Sequence, residues 1–297
     1  MKRKFRKFWH WLAVFAILFA VAAAFEQPTD HAATSNQSTT QASSNRLTAL
    51  INNFSTGWHQ RSSQTTSNSM TPPNQTLASS VLTPTVRQQV GGELTWNGHG
   101  AFIVNNNQTK LKANITSAPY AVNRLDQLGR AWQGDAWLNK TTRQYRNRSD
   151  TGNGATDWKP AGFLQATHLT NGPSHAYDRG HLLGYALVGG LRGFDASEAN
   201  PKNIATQTAW ANEARSQTAT GQNYYEGLVR QALDRGKQVR YRVTNIYDGN
   251  NKVPAGAHLE AKSKDGSLQF NVFVPNVQRN IRINYATGAV SLANQSD

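Results

Sequence analysis

Asp178-Arg179-Gly180-His181 sets an acid, a guanidinium, a glycine and an imidazole side by side, directly before the apolar pair Leu182-Leu183. Arginine offers a planar fork of donors that matches phosphate oxygens. Histidine titrates near neutral pH and takes a proton from water. Glycine allows a tight turn or the close approach of a phosphate to the backbone. The same four residues also fit a plain turn, closed by an Asp178–Arg179 salt bridge with a surface histidine. Downstream lie Asn200-Pro201-Lys202-Asn203, then Gln207, then Trp210-Ala211-Asn212-Glu213. Asparagine carbonyl oxygens suit a hard cation such as Mg²⁺, which keeps several of its waters. Isolated asparagines also cap helices and make turns.

Other polar residues compete for a role. His168, His175 and His181 are spaced seven and six apart, which matches no i, i+4 helical pair, and the chain has no cysteine. A zinc cluster of these three is therefore not expected. His175 is a candidate for the edge of a cleft or a loop histidine. Arg143, Arg146 and Arg148 precede the glycine-rich turn Thr151-Gly152-Asn153-Gly154. They either track a phosphate backbone or form a solvated face. No Gly-x-Ser-x-Gly elbow and no His-Glu-x-x-His occurs, which disfavours other hydrolase classes.

The elements that must position these residues read as an α+β domain from about residue 81 to 297. Gly92-Glu93-Leu94-Thr95-Trp96 and Ala101-Phe102-Ile103-Val104 read as two strands across the Asn97-Gly98 turn. The run from Ala131 to Arg148 is mixed and is read as helical at its start. Tyr224 to Gln238 carries Tyr225, Leu228, Val229, Ala232 and Leu233 at helical spacing, with Gly236 as a stop. Glu226 lies on the flank of that stripe. Val239, Tyr241 and Val243 alternate with Arg240, Arg242 and Thr244, a half-buried strand with a basic outer face. Leu268, Phe270, Val272 and Val274 form another strand ending at Pro275. Strands surround a helical middle.

Upstream, the chain is of a different kind. Lys2, Arg3, Lys4, Arg6 and Lys7 precede an apolar run of 18 residues from Phe8 to Phe25. That length falls between a signal-peptide core and a span of about 20 residues. Residues 1–25 thus read as a signal anchor or a cleaved signal, with the rest of the chain outside the cytoplasmic membrane. Residues 26–80 are rich in Ser, Thr, Gln and Asn, and no acidic residue falls between Asp30 and Glu93. They read as a disordered stalk, since they cannot bury enough apolar surface to offset chain entropy. The net charge is +14, and taking away the five basic residues of the head leaves +9. A polyanionic partner follows: nucleic acid, a wall polymer or anionic lipid. The absence of cysteine excludes disulfides, thiolate metal sites and cysteine nucleophiles.

Taken together, Asp178-Arg179-Gly180-His181 with Asn203 and Asn212 resembles the DNA/RNA non-specific endonuclease superfamily with its ββα-metal site. Gly189-Gly190-Leu191, Gly193-Phe194-Asp195, Gly221-Gln222-Asn223-Tyr224-Tyr225-Glu226 and Val274-Pro275-Asn276-Val277-Gln278 bring it close to the streptococcal-type membrane-bound DNA-entry nucleases. The resemblance spans residues 81–290. It implies a central antiparallel sheet flanked by helices. It further implies His181 as general base, Asn212 as the protein ligand of one Mg²⁺ (Mn²⁺ able to substitute), Arg179 as a phosphate clamp and Asn203 as an orienting residue. Glu226 is the acid expected to orient metal-bound water, preferred over Glu213; Asp178 is expected to brace its neighbours. Substrates would be double- and single-stranded DNA and RNA, cut to leave 5′-phosphate ends, with Arg143, Arg146, Arg148 and His175 along the nucleic acid. No protein partner is evident. The competing reading is a surface module that grips nucleic acid or wall polyanions without cutting them.

Overall fold

The computed structural model describes residues 70–154 and 156–293. The segment 1–25 and residues 26–69 of the expected stalk lie outside the described residues. Residues 70–80, read above as the end of the stalk, carry helix α1 (Gln75–Ser79), capped by Asn74 with Ala78 fully buried. Helix α2 (Pro84–Val90) starts with Thr83 as its cap and a proline in its first turn, where the missing N–H costs nothing.

Seven strands make one antiparallel sheet in the order β1 (Leu94–Trp96), β2 (Phe102–Val104), β9 (Gln269–Pro275), β8 (Gly256–Ser263), β7 (Val239–Ile246), β4 (Ala131–Leu138) and β3 (Tyr120–Leu125). The β1–β2 hairpin turns at Asn97, whose Oδ1 accepts from the N–H groups of His99 and Ala101. The start of the 131–148 run is a strand, not a helix. Ala136, Trp137 and Leu138 are all fully buried between neighbouring strands. With both faces covered, β4 loses the alternation that would mark it in sequence.

Helix α5 runs Gln222–Asp234, starting two residues before the expected Tyr224 and stopping four short of Gln238. Gly236, at φ +78°, takes the left-handed position that ends it, with Gly236 N–H on Leu233 O and Lys237 N–H on Ala232 O. Tyr225, Val229, Ala232 and Leu233 pack against Val239, Tyr241 and Val243 of β7 and Leu259 of β8 in the main core. Each large apolar side chain buried there contributes about 1.5–3 kcal/mol. On the opposite face of the sheet, α1 and α2 cover Phe102, Ile246 and Phe273. The sheet is thus flanked by helices on both sides. The basic outer face of β7 is partly neutralised, since Arg240 and Arg242 both pair with Asp135 of β4.

Outside the sheet, β5 (Tyr177–His181) and β6 (Ile204–Thr208) form an antiparallel hairpin with the short helix α3 (Tyr185–Val188) in the connection. Thr208 ends β6 and caps helix α4 (Ala209–Glu213), its hydroxyl accepting from Ala211 N–H. The Val274–Gln278 stretch fastens this unit to the sheet. Asn276 Oδ1 accepts from Thr208 N–H, and Gln278 accepts from Trp210 N–H and donates to His175 O. A second small pair, β10 (Ile281–Ile283) and β11 (Val290–Leu292), follows.

Candidate active site

The tetrapeptide is a strand, not a turn. Asp178 and Arg179 do not pair with each other: Asp178 bonds His175 and Asn212, while Arg179 bonds the carbonyl oxygens of Trp158 and Thr156. Two residues apart on β5, Arg179 and His181 project from the same side of the strand. Gly180 is needed for a reason other than a turn. A Cβ there would lie 2.3 Å from the side chain of Gln207, which crosses the strand to donate to Gln222 on α5. Gln222 in turn donates to His181 O at 2.6 Å.

His181 Nε2 meets Glu226 Oε1 at 2.9 Å. The Glu226 side chain is only 4% exposed, and its second oxygen faces Arg230 at 3.6 Å. Glu226 therefore belongs to the buried face of α5 rather than to its flank. Burial pushes the Glu226 carboxyl up, but the charge and hydrogen bond of His181, Arg230 and Gln222 outweigh it and leave the group below its ordinary value. Gly184 makes the room: a Cβ there would sit 2.5 Å from Glu226 Oε2. With its carboxylate committed to His181 and Arg230, Glu226 is placed to fix the histidine rather than to reach into the cleft.

Asn212 sits in α4, one residue from its end. Its Nδ2 donates to Asp178 Oδ2 at 2.9 Å, while its Oδ1 is buried and has no hydrogen-bond partner. A buried acceptor left unmade costs about 1–3 kcal/mol, which makes this oxygen a candidate ligand atom. Glu213, next to it, lies 3.7 Å from His175. Burial, and then the charge of Asp178, push the Glu213 carboxyl up to about 7. The hydrogen bond to Asp178 raises the His175 imidazole, against burial.

His181, Arg179, Asp178, Asn212, Glu213, His175 and Arg148 line one cleft of about 830 Å³. Arg148 lies over the Tyr185 ring at 4.6 Å, donates to Ala196 O and faces Glu198. Burial lowers its guanidinium pKa, against the raising effect of Glu198. The other two arginines of the cluster are elsewhere. Arg143 is paired with Asp234 and Ala186 O, and Arg146 donates to Asp150 O. Asn203 is fully buried and spends both ends of its amide on the backbone of Leu183. It neither caps a helix nor lines the cleft; it holds the chain that leaves His181. All three histidines line the cleft, each with its own partner: His168 bonds Thr167, His175 bonds Asp178 and His181 bonds Glu226. Gln222 and Gly184 were not singled out from the sequence. A polar residue four before Glu226 on α5 is the only signal that pointed to the first.

Comparison with known proteins shows the family. The family described as DNA/RNA non-specific endonuclease matches residues 98–295. The crystal structure of NucA from Streptococcus agalactiae with magnesium ion bound shares 44% identity over 68% of this chain and 91% of that one, with a TM-score of 0.65. The same protein with no metal bound gives 43% identity over 68% and 90%, with a TM-score of 0.62. The chain belongs to the DNA/RNA non-specific endonuclease family.

Proposed function

We propose that this protein is an extracytoplasmic, Mg²⁺-dependent endonuclease that cuts DNA and RNA without sequence preference and leaves 5′-phosphate ends. The observation that carries the reading is Asn212 Oδ1, a buried acceptor without a partner in the same cleft as His181 and Arg179. A hard cation fits it: the oxygen is a neutral, oriented amide acceptor of the kind Mg²⁺ takes while keeping several of its waters. The magnesium ion in the S. agalactiae relative supports the choice of ion, and Mn²⁺ would substitute. Bound there, the ion would supply Lewis-acid stabilisation of charge on the leaving 3′ oxygen.

The chain's own residues do the rest. Glu226 Oε1 engages His181 Nε2, which leaves Nδ1 as the ring nitrogen to take a proton from the attacking water. Arg179 has its Nε and one terminal nitrogen fixed by carbonyl oxygens, which presents the guanidinium edge to a phosphate in a set orientation. Arg148 and His175 extend the cleft as phosphate contacts. Such contacts position nucleic acid without reading bases, which accounts for activity on double- and single-stranded DNA and on RNA. The basic head and apolar run of residues 1–25 support export, either anchored at the outer membrane face or secreted.

The test is direct. Purified full chain is mixed with plasmid DNA and with RNA in Mg²⁺, in Mn²⁺ and in chelator. Cleavage in both metals and none in chelator supports the reading. Tight binding without cleavage in either metal returns the chain to the class of polyanion-gripping surface modules.

A further inference from the structure

The cleft holds a second set of ligand-type side chains on the far side of Asp178. His175 Nε2 lies 2.8 Å from Asp178 Oδ1 and 3.7 Å from Glu213 Oε1. One ligand atom from each of these three residues falls within 4.8 Å of the others. We propose that His175, Asp178 and Glu213 form a binding site for a transition-metal ion of the Zn²⁺ class, separate from the Mg²⁺ position at Asn212.

The donor set selects the ion. One imidazole with two carboxylates suits Zn²⁺ and its neighbours, whereas Mg²⁺ prefers oxygen alone. The spacing agrees. Ligands about 2.0–2.2 Å from a tetrahedral Zn²⁺ lie roughly 3.4 Å from one another, and the observed 2.8 and 3.7 Å bracket that value. The side chains are 28%, 20% and 41% exposed, so small rotations complete the geometry. Their backbones are held from three directions: His175 by a bridge to Thr167 and by Gln278 at its carbonyl, Asp178 by β5, and Glu213 by α4. The open cleft leaves a fourth position for water, or for a phosphate oxygen of bound nucleic acid.

Asp178 links the two sites. Its Oδ1 serves His175 and its Oδ2 holds the Asn212 amide. An ion drawing Asp178 towards His175 and Glu213 loosens that hold and raises the Mg²⁺ requirement for cleavage. This consequence rests on the nuclease reading; the binding site itself does not.

The experiment is calorimetric titration of the full chain with Zn²⁺ in excess Mg²⁺, on wild type, His175→Gln, Glu213→Gln and Asn212→Ala, each checked for fold by its circular dichroism melting curve. Wild type and Asn212→Ala should bind a single equivalent of Zn²⁺, and His175→Gln and Glu213→Gln should weaken it roughly tenfold or more. Absence of Zn²⁺ binding by wild type in Mg²⁺ overturns the proposal without any variant. Unchanged affinity in both His175→Gln and Glu213→Gln overturns it, as does loss of binding in Asn212→Ala, which would put the ion at the Mg²⁺ position. Zn²⁺ binding by a chain that cuts nothing would leave this site standing and remove the nuclease reading instead.

Discussion

Asn212 Nδ2 donates to Asp178 Oδ2 at 2.9 Å, and this one bond decides which end of the asparagine amide is left for a ligand. An amide rotated by half a turn would present a donor where a cation needs an oxygen. Asp178→Ala frees that rotation. The expected result is a roughly 10–100-fold rise in the Mg²⁺ concentration for half-maximal cleavage, with much of the maximal rate recovered at saturating Mg²⁺. An unchanged midpoint would reduce Asp178 to a structural brace.

His181→Ala removes the proposed base but no part of the phosphate-binding surface. Cleavage should fall by about 10²–10⁴-fold, while DNA retention in a gel-shift assay with chelator stays at wild-type strength. Parallel loss of binding and cleavage would assign His181 to the fold or to substrate contact.

Gly184→Ala tests the link between His181 and Glu226 without touching either. The added Cβ would sit 2.5 Å from Glu226 Oε2 and must push the carboxylate aside. The turnover rate should drop on the order of tenfold with KM close to wild type. A variant with wild-type turnover would show that the histidine needs no fixing.

Glu226 also carries a pH signature. Its carboxyl lies below its ordinary value of 4.5 in the folded chain. The stabilisation it contributes is therefore fully present above that ordinary value and is lost as pH falls through the depressed one. Melting temperatures of wild type and Glu226→Ala should differ most above pH 5 or so and converge in acid. At neutral pH the variant leaves His181 and Arg230 without their partner, at a cost of about 1–3 kcal/mol. Curves that stay parallel down to acid pH would contradict the depressed value.

Asn203→Ala separates support from chemistry. Both hydrogen bonds of its buried amide go to Leu183. Stability should fall by about 1–3 kcal/mol, and activity below the new melting temperature should fall only as far as the Leu182-Leu183 segment shifts. Full stability with lost cleavage would move Asn203 into the reacting centre.

By itself, the sequence determined the parts whose signal is local. Asp178, Arg179, His181 and Asn212 lie within one strand–strand–helix unit, β5 to β6 to α4, so their types and spacing carry the site in linear order. The α5 stripe and the alternation of β7 were equally legible, because a helix or strand with one face more covered than the other writes its period into the chain. Only the tertiary structure decided what depends on distant packing. Glu226 stands 45 residues from His181 and reaches it because α5 docks its buried face on the sheet beside β5. The same packing put Arg148 in the cleft and turned Arg143 away to Asp234, though the three arginines look alike in sequence. β4 stayed hidden because a strand buried on both faces has no alternation to read. The pairing of Asn212 with Asp178, across 34 residues, was set by where Thr208 starts α4, a choice fixed by Asn276 from the far end of the chain. Periodicity reports which side of an element is covered; which residue covers it is settled when the elements pack.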